Sequence, residues 1–466
     1  MITYGEKKVN TLYKQPLIFL RNGHFSRVIT CFNSVKMIKY LLIKIFFCIG
    51  GWNMKKLKGS LLFAQSGGPT SVINASACGV FEEAFKHSEI TQVLGAAHGV
   101  VGILNDELYD IGKEDPAEIR RLLGTPSSAL GSCRYKLKDY KVDETDYLKI
   151  LETFKKHNVR YFFYNGGNDS MDTCNKIGEF VNAHGYECNV IGVPKTIDND
   201  LYGIDHCPGY ASAAKYIATT CMEIDLDARV FDKGMITVIE IMGRHAGWLT
   251  AASAVATYAG HGPDLIYVPE VNFDLDKFTT DVEEIYKKNG KCIVAVSEGI
   301  HDAEGKFIAE YAVANAKKDA FGHVQLGGVA SYLVSHLRNI IDTKYRFIEF
   351  SLMQRCASHI ASKVDVEEAY AEGCAAVKAA VEGKSNIMVG VVRKPGAKYE
   401  TTIEEFPLSA CANTEKMLPA EYINEEGNMI TKAFLDYVTP LIEGEHSPEF
   451  VNGIPRFAEL KKILAE

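Results

Sequence analysis

From residue 59 onward, short apolar runs alternate with longer stretches in which apolar residues recur every three or four positions. The runs GSLLFAQ (59–65), RYFFYN (160–165), NVIGVP (189–194), MITVIEI (235–241) and KCIVAVS (291–297) are almost continuously hydrophobic, as strands buried on both faces are. Each run ends in glycine or polar residues, and a stretch of helical period follows. This βαβ rhythm predicts an α/β protein built from doubly wound, mostly parallel sheets, in which ligands gather at the carboxyl ends of the strands. Residues 258–290 predict a connection holding a strand, DLIYVPEV, and an amphipathic helix. Residues 364–382 (VDVEEAYAEGCAAVKAAVE) predict a surface helix, with Glu placed ahead of Lys on the polar side. From Arg393 to Glu466 the pattern weakens, which predicts a cap carrying no chemistry.

The first 53 residues break this rhythm. Glu6 is their only acidic residue, against Lys7, Lys8, Lys14, Arg21, Arg27, Lys36, Lys39 and Lys44, and they end in YLLIKIFFCIGGWN. A basic stretch before a short apolar run is the order of a signal peptide, but the basic part is too long and no small-residue cleavage site follows. The preferred reading is an upstream extension that does not join the fold, with Met54 as the physiological start.

Composition changes the picture in three ways. A chain of 466 residues with 47% hydrophobic and 24% charged residues fits two globular domains sharing a cleft. The net charge of -8 argues against a nucleic-acid partner, so any anionic ligand must be held by particular residues. Twelve cysteines without one C-x-x-C pair fit reduced thiols in a cytoplasmic compartment, and no uncharged run of 18 apolar residues predicts a membrane span.

Chemistry collects at the strand ends. Gly67-Gly68-Pro69-Thr70 lets backbone N–H groups and a helix N-terminus approach a phosphate, although structural turns share this pattern. Gly166-Gly167-Asn168-Asp169-Ser170 repeats the arrangement with two side chains that suit either helix capping or phosphate and metal binding. Lys195, Thr196, Asp198, Asn199 and Asp200 follow a third strand; so many carboxylates in a short loop call for a metal ion, a lysine or a polar substrate nearby, and one of them can accept a hydroxyl proton. Met242-Gly243-Arg244-His245 supplies a guanidinium suited to phosphate oxygens, and Glu298 a carboxylate suited to sugar hydroxyls. Together these strand ends predict phosphoryl transfer to a hydroxyl.

The motifs AQSGGPT, LGSCRYKL, GGNDS, PKTIDND, MGRHAGW, SEG and GHVQLGG, running in that order from about Leu61 to Val391, closely resemble the phosphofructokinase family. The resemblance implies a fold of two α/β domains with the active site between them, and transfer of a phosphoryl group to the 1-hydroxyl of fructose 6-phosphate. It implies Asp198 as the base, with Thr196, Ile197 and Asp200 beside it, and Lys195 and Arg244 offsetting charge. It places Gly68, Arg134, Asp169 and Lys195 at the donor, and Met242, Gly243, Arg244, Glu298 and His323 at the sugar phosphate. Magnesium is the implied cofactor, with Asn168 and Asp200 as its ligands, Asn168 replacing the family's usual aspartate. Leu326 and Met235 stand where many members carry 6-phosphate-binding basic residues; among Lys317, Arg338, Arg346 and Arg355, the last is the preferred substitute. The implied division is a phosphoryl-donor domain at 54–205, a sugar-phosphate domain at 206–400 with the chain crossing between the two after about 325, and a cap at 401–466. A homodimer or homotetramer is implied as well.

ATP-using relatives carry glycine at the positions of Asp169 and Lys195, where the α-phosphate needs room. A carboxylate there repels that phosphate and a lysine neutralises a compact anion, so the chain resembles the pyrophosphate-dependent branch. An ATP-dependent kinase that tolerates Asp169 and a non-catalytic sugar-phosphate sensor are the alternatives.

Overall fold

The computed structural model describes residues 57–232, 234–312, 328–412 and 414–466; the extension 1–53 and Lys317, His323 and Leu326 lie outside them. Along the chain run β1 (Gly59–Gln65), β2 (Ile90–Ala96), β3 (Leu108–Asp110), β4 (Val159–Gly166), β5 (Asn189–Pro194), β6 (Met235–Ile241), β7 (Leu265–Tyr267), β8 (Lys291–Ser297) and β9 (Lys344–Glu349). The short β10 (Ala361–Ser362) then leads to β11 (Ile387–Arg393) and β12 (Thr401–Pro407). Seven strands form one sheet in the order β12-β11-β5-β4-β1-β2-β3, and four form a second in the order β7-β8-β6-β9. Only the outermost strands of the first sheet, β3 and β12, run antiparallel to their neighbours, and the second sheet is parallel throughout. The predicted α/β architecture of mostly parallel sheets is the one observed. The segment expected to begin a cap at 401 instead opens with β12, an edge strand of the first sheet.

The unbroken apolar runs have a direct cause. In the first sheet, Leu62 and Ala64 of β1 meet Leu94, Phe162, Tyr164 and Val190 on one face, while Leu61 and Phe63 meet Val93, Tyr161, Phe163 and Ile191 on the other. A strand covered on both sides must be apolar at odd and even positions alike.

The helices that place the site are α1 (Ile73–Ala84), α2 (Asn168–Ala183) and α3 (Tyr210–Arg229), which follow the ends of β1, β4 and β5. The connection at 258–290 holds β7 and α4 (Leu275–Asn289), whose first turn is capped by Asp274 and whose end is closed by Gly290 at φ 70°. Two further helices are α5 (Lys363–Val381) and α6 (Ala433–Val438).

The expectation of a surface helix at 364–382 is corrected. Asp365, Val366, Ala369, Glu372, Gly373, Ala376 and Val377 of α5 are all buried. The helix lies backbone to backbone against α1: a Cβ on Gly79 would stand 2.1 Å from Tyr370 O, and one on Gly373 would stand 2.2 Å from Ser76 O. Its buried acids escape isolation by accepting main-chain hydrogen bonds. Asp365 takes Gly209 N, Ser212 N and Ser212 Oγ at the start of α3, and Glu372 takes Val391 N. One helix thus braces both α1, which follows the first glycine loop, and α3, which follows the carboxylate loop. Among the described residues no helix is long and apolar enough to cross a membrane.

Candidate active site

Because β5, β4 and β1 are neighbours in the sheet, their carboxyl ends deliver the three loops side by side. Lys195 N donates to Gly166 O (3.0 Å), and Lys195 Nζ donates to Gly68 O (2.6 Å). A Cβ on Gly67 would be 3.5 Å from that ammonium, and one on Gly68 would be 3.0 Å from Arg355 Nη1, so these glycines leave room for two cations at the loop. Thr196 Oγ1 bonds Asp198 Oδ2 (3.2 Å) and accepts from Asp198 N (3.1 Å), a local turn that holds the carboxylate. Asn168 Nδ2 donates to Asp200 Oδ2 (2.9 Å), which joins the second and third loops.

Burial sets the electrostatics. Lys195, 2% exposed, is held down to about 8 by desolvation, despite the attraction of Asp198, and the nearby cations Arg355 and Arg134 push the same way. Desolvation raises Asp198 against the opposing pull of Thr196 and Lys195. Asp200 rises to about 7 through desolvation and the repulsion of Asp198 and Glu415. Glu298, half-buried after β8, rises to about 7 by desolvation and by Asp198 and Glu240. Asp200 and Glu298 near neutrality, with a raised Asp198 between them and a softened ammonium beside it, are groups able to hold or release a proton in the working range.

The second sheet supplies the facing wall. Met242 N donates to Gln354 Oε1 (3.3 Å), Gly243 turns at φ 140°, and its carbonyl accepts from Ser297 Oγ (2.5 Å). Half-buried Arg244 is close enough to lower Asp198 and Glu298. Burial lowers Arg355, as does Arg134, which places these two guanidiniums together beside the first glycine loop. Arg134 and Asp169 are exposed, Asp169 in the first turn of α2. The Ile197 side chain packs in the core with Tyr210 and Ala213, so only its main chain remains for a ligand. His323 falls outside the described residues.

Asn168 Oδ1 is buried and has no hydrogen-bond partner. With the Asp200 carboxylate next to it, this orphan acceptor fits a hard cation such as magnesium, which takes oxygen ligands. Among the described residues no three His, Cys, Asp or Glu side chains converge on a metal position. An ion here would take most of its coordination from phosphate and water.

The tail, expected to carry no chemistry, nevertheless packs on the carboxylate loop. Glu415 Oε1 pairs with His245 Nδ1 (3.0 Å) beside the carboxylate loop. Lys416 Nζ reaches Asn199 Oδ1 (3.4 Å), and Asn199 Nδ2 donates to Tyr437 Oη (2.7 Å). No motif marked these residues: the partners named here are 170 to 238 positions away.

Known proteins resemble this chain over most of its length. Residues 60–339 match the phosphofructokinase family model. A pyrophosphate--fructose 6-phosphate 1-phosphotransferase of Halomonas elongata is 44% identical over 408 residues, 87% of this chain and 96% of that protein. The crystal structure of a pyrophosphate-dependent phosphofructokinase from Marinobacter aquaeolei superposes with a TM-score of 0.79 at 40% identity, covering 88% of this chain and 98% of that one. An ATP-dependent 6-phosphofructokinase of Vibrio parahaemolyticus is 32% identical over 271 residues, 56% of this chain and 77% of that protein.

Proposed function

The chain belongs to the phosphofructokinase family, and on that premise we propose that it moves a phosphoryl group from pyrophosphate to the 1-hydroxyl of fructose 6-phosphate, giving fructose 1,6-bisphosphate in glycolysis. The observation that carries the choice of donor is the buried Lys195 ammonium seated on Gly68 O, in the space beside the first glycine loop. It suits a compact, highly charged phosphoanhydride and occupies room that an adenylate needs.

In this reading the first sheet holds pyrophosphate along Gly68, Arg134, Asp169 and Lys195. The second holds the sugar phosphate along Met242, Gly243, Arg244 and Glu298, with Arg355 at the junction of the two. The sugar oxygen attacks the terminal phosphorus, the bond from that phosphorus to the bridging oxygen breaks, and inorganic phosphate leaves. Asp198, held by Thr196, takes the hydroxyl proton. Lys195 and Arg244 offset the charge that spreads over the transferred oxygens. Magnesium, which Asn168 Oδ1 and Asp200 would hold, neutralises phosphoryl charge when bound.

The test is turnover of the purified chain with fructose 6-phosphate and magnesium, pyrophosphate against ATP, read by formation of the bisphosphate. Pyrophosphate is expected to give the higher kcat/KM by at least about a hundredfold. Faster turnover with ATP overturns the donor; no turnover with either, alongside tight sugar-phosphate binding, overturns the enzyme.

A further inference from the structure

We infer that Tyr437 and Lys416, contributed by the C-terminal tail, are positioning residues that clamp Asn199 and thereby fix the loop on which Asp198 sits; the inference rests on the phosphoryl-transfer reading above.

Asn199 lies between the two carboxylates of the loop, is fully buried and has φ 56°. The left-handed region is uncommon outside glycine, and asparagine is among the residues that tolerate it best. Here the surroundings hold its side-chain amide at both ends. Nδ2 donates to Tyr437 Oη (2.7 Å), and Oδ1 accepts from Cys207 N (2.9 Å) and Lys416 Nζ (3.4 Å). Tyr437 Oη, having accepted that bond, donates its own proton to Asp205 O (2.9 Å). Lys416 Nζ also donates to Asp205 O (2.7 Å) and Ile204 O (3.3 Å), while Lys416 N donates to Asp200 O (2.7 Å). Two tail residues therefore hold one side chain and three carbonyls of a short segment that begins at the catalytic carboxylate.

The clamp itself is stiff. Tyr437 packs in an aromatic cluster, its ring 5.1 Å from Trp248, 6.1 Å from Phe434 and 6.5 Å from Tyr210, with the Arg393 guanidinium 5.0 Å above it. Trp248 Nε1 donates to Lys416 O (2.9 Å), and the Lys416 ammonium stands 5.1 Å from the indole. A half-buried lysine whose described ammonium hydrogen bonds all go to amide and carbonyl oxygens is a poor contributor to stability, since desolvation opposes its charge. Its geometry serves loop placement instead. Both residues lie beyond position 339, where the match to the family model ends.

Tyr437→Phe keeps the ring and removes the bridging hydroxyl. Tyr210→Phe is its control, because it removes a hydroxyl from the same cluster that bonds Trp248 O (3.3 Å) and nothing in the loop. For both variants and the wild type, kcat, the KM of each substrate, the melting temperature and amide hydrogen exchange over residues 196–205 are measured. Tyr437→Phe is expected to lower kcat at least about tenfold with each KM within about twofold, the mark of a misplaced base rather than lost binding. Its loop amides exchange faster, and Tyr210→Phe matches the wild type in kcat, KM and loop exchange. Lys416→Met follows Tyr437→Phe. Wild-type kcat and exchange in Tyr437→Phe, an equal kcat loss in Tyr210→Phe, or a loss confined to KM overturns the clamp. A wild-type protein inactive with every donor overturns the proposed reaction, and the exchange arm then decides the clamp alone.

Discussion

Replacing Lys195 with methionine keeps the length of the side chain and deletes its charge, with two consequences of opposite sign. An ammonium about 4 Å from a phosphate oxygen, at an effective dielectric of 20, is worth about 4 kcal/mol, and removal of one donor from comparable sites costs about 2.7–4 kcal/mol. The kcat/KM for pyrophosphate should therefore fall by about a hundred- to a thousandfold. Stability should move the other way. The folded protein holds Lys195 at about 8 where an unburied lysine stands at 10.5. A lysine depressed on folding penalises the folded state at any pH below its folded value, and the penalty is relieved as pH climbs from 8 to 10.5. At 1.36 kcal/mol per unit the penalty at pH 7 is at most about 3 kcal/mol, so Lys195→Met should melt up to about 3 °C higher than the wild type. That advantage should shrink by pH 9.5. Steady-state kinetics with pyrophosphate and calorimetric melts at pH 7 and 9.5 read both effects. Retention of kcat/KM within about threefold, or a fall in melting temperature at pH 7 as large as the expected rise, would refute the reasoning.

Asp198→Asn should lower kcat by at least about a hundredfold while titration calorimetry still detects fructose 6-phosphate binding; near-normal turnover removes Asp198 as the base. His206 bridges Asp205 (2.9 Å) and Glu368 (2.7 Å), with Arg393 on Asp205 and Tyr399 on Glu368. Burial alone would lower its pKa, but the two carboxylates outweigh burial and raise it to about 9 from 6.5. Its stabilisation is thus fully present below pH 6.5 and lost as pH rises through 9, so melting scans of the wild type against His206→Gln should differ most at pH 6 and converge by pH 9.5. Gly79→Ala drives a methyl to 2.1 Å from Tyr370 O and should destabilise by about 1–3 kcal/mol or more, lowering the denaturation midpoint; an unchanged midpoint means that α1 and α5 can separate freely.

The parallel strands were legible because burial on both faces imposes unbroken apolar runs, and the loops because patterns that singly also serve turns and caps recur at several strand ends in succession. What escaped shares one cause, pairing over long distances in sequence. The acids of α5 read as a solvated face because the main-chain donors that hold them, Gly209 N, Ser212 N and Val391 N, belong to other elements. Arg355, expected at the sugar's 6-phosphate, also stands beside Gly68, 287 positions earlier in the chain, a proximity that only folding creates. Lys416 and Tyr437 bind carbonyls and one amide, which leave no periodicity behind.

Strand order also governs how the protein is made. The second sheet draws β6 to β9 from one continuous stretch, residues 235–349, so a ribosome delivers it complete. The first sheet begins at residue 59, yet β5 gains its outer neighbour β11 and α1 gains its brace α5 only after residues 363–407 emerge. Until then a nascent chain exposes the flank of β5, an unpaired edge of the kind that invites mispairing. The half of the molecule translated first is therefore the half finished last.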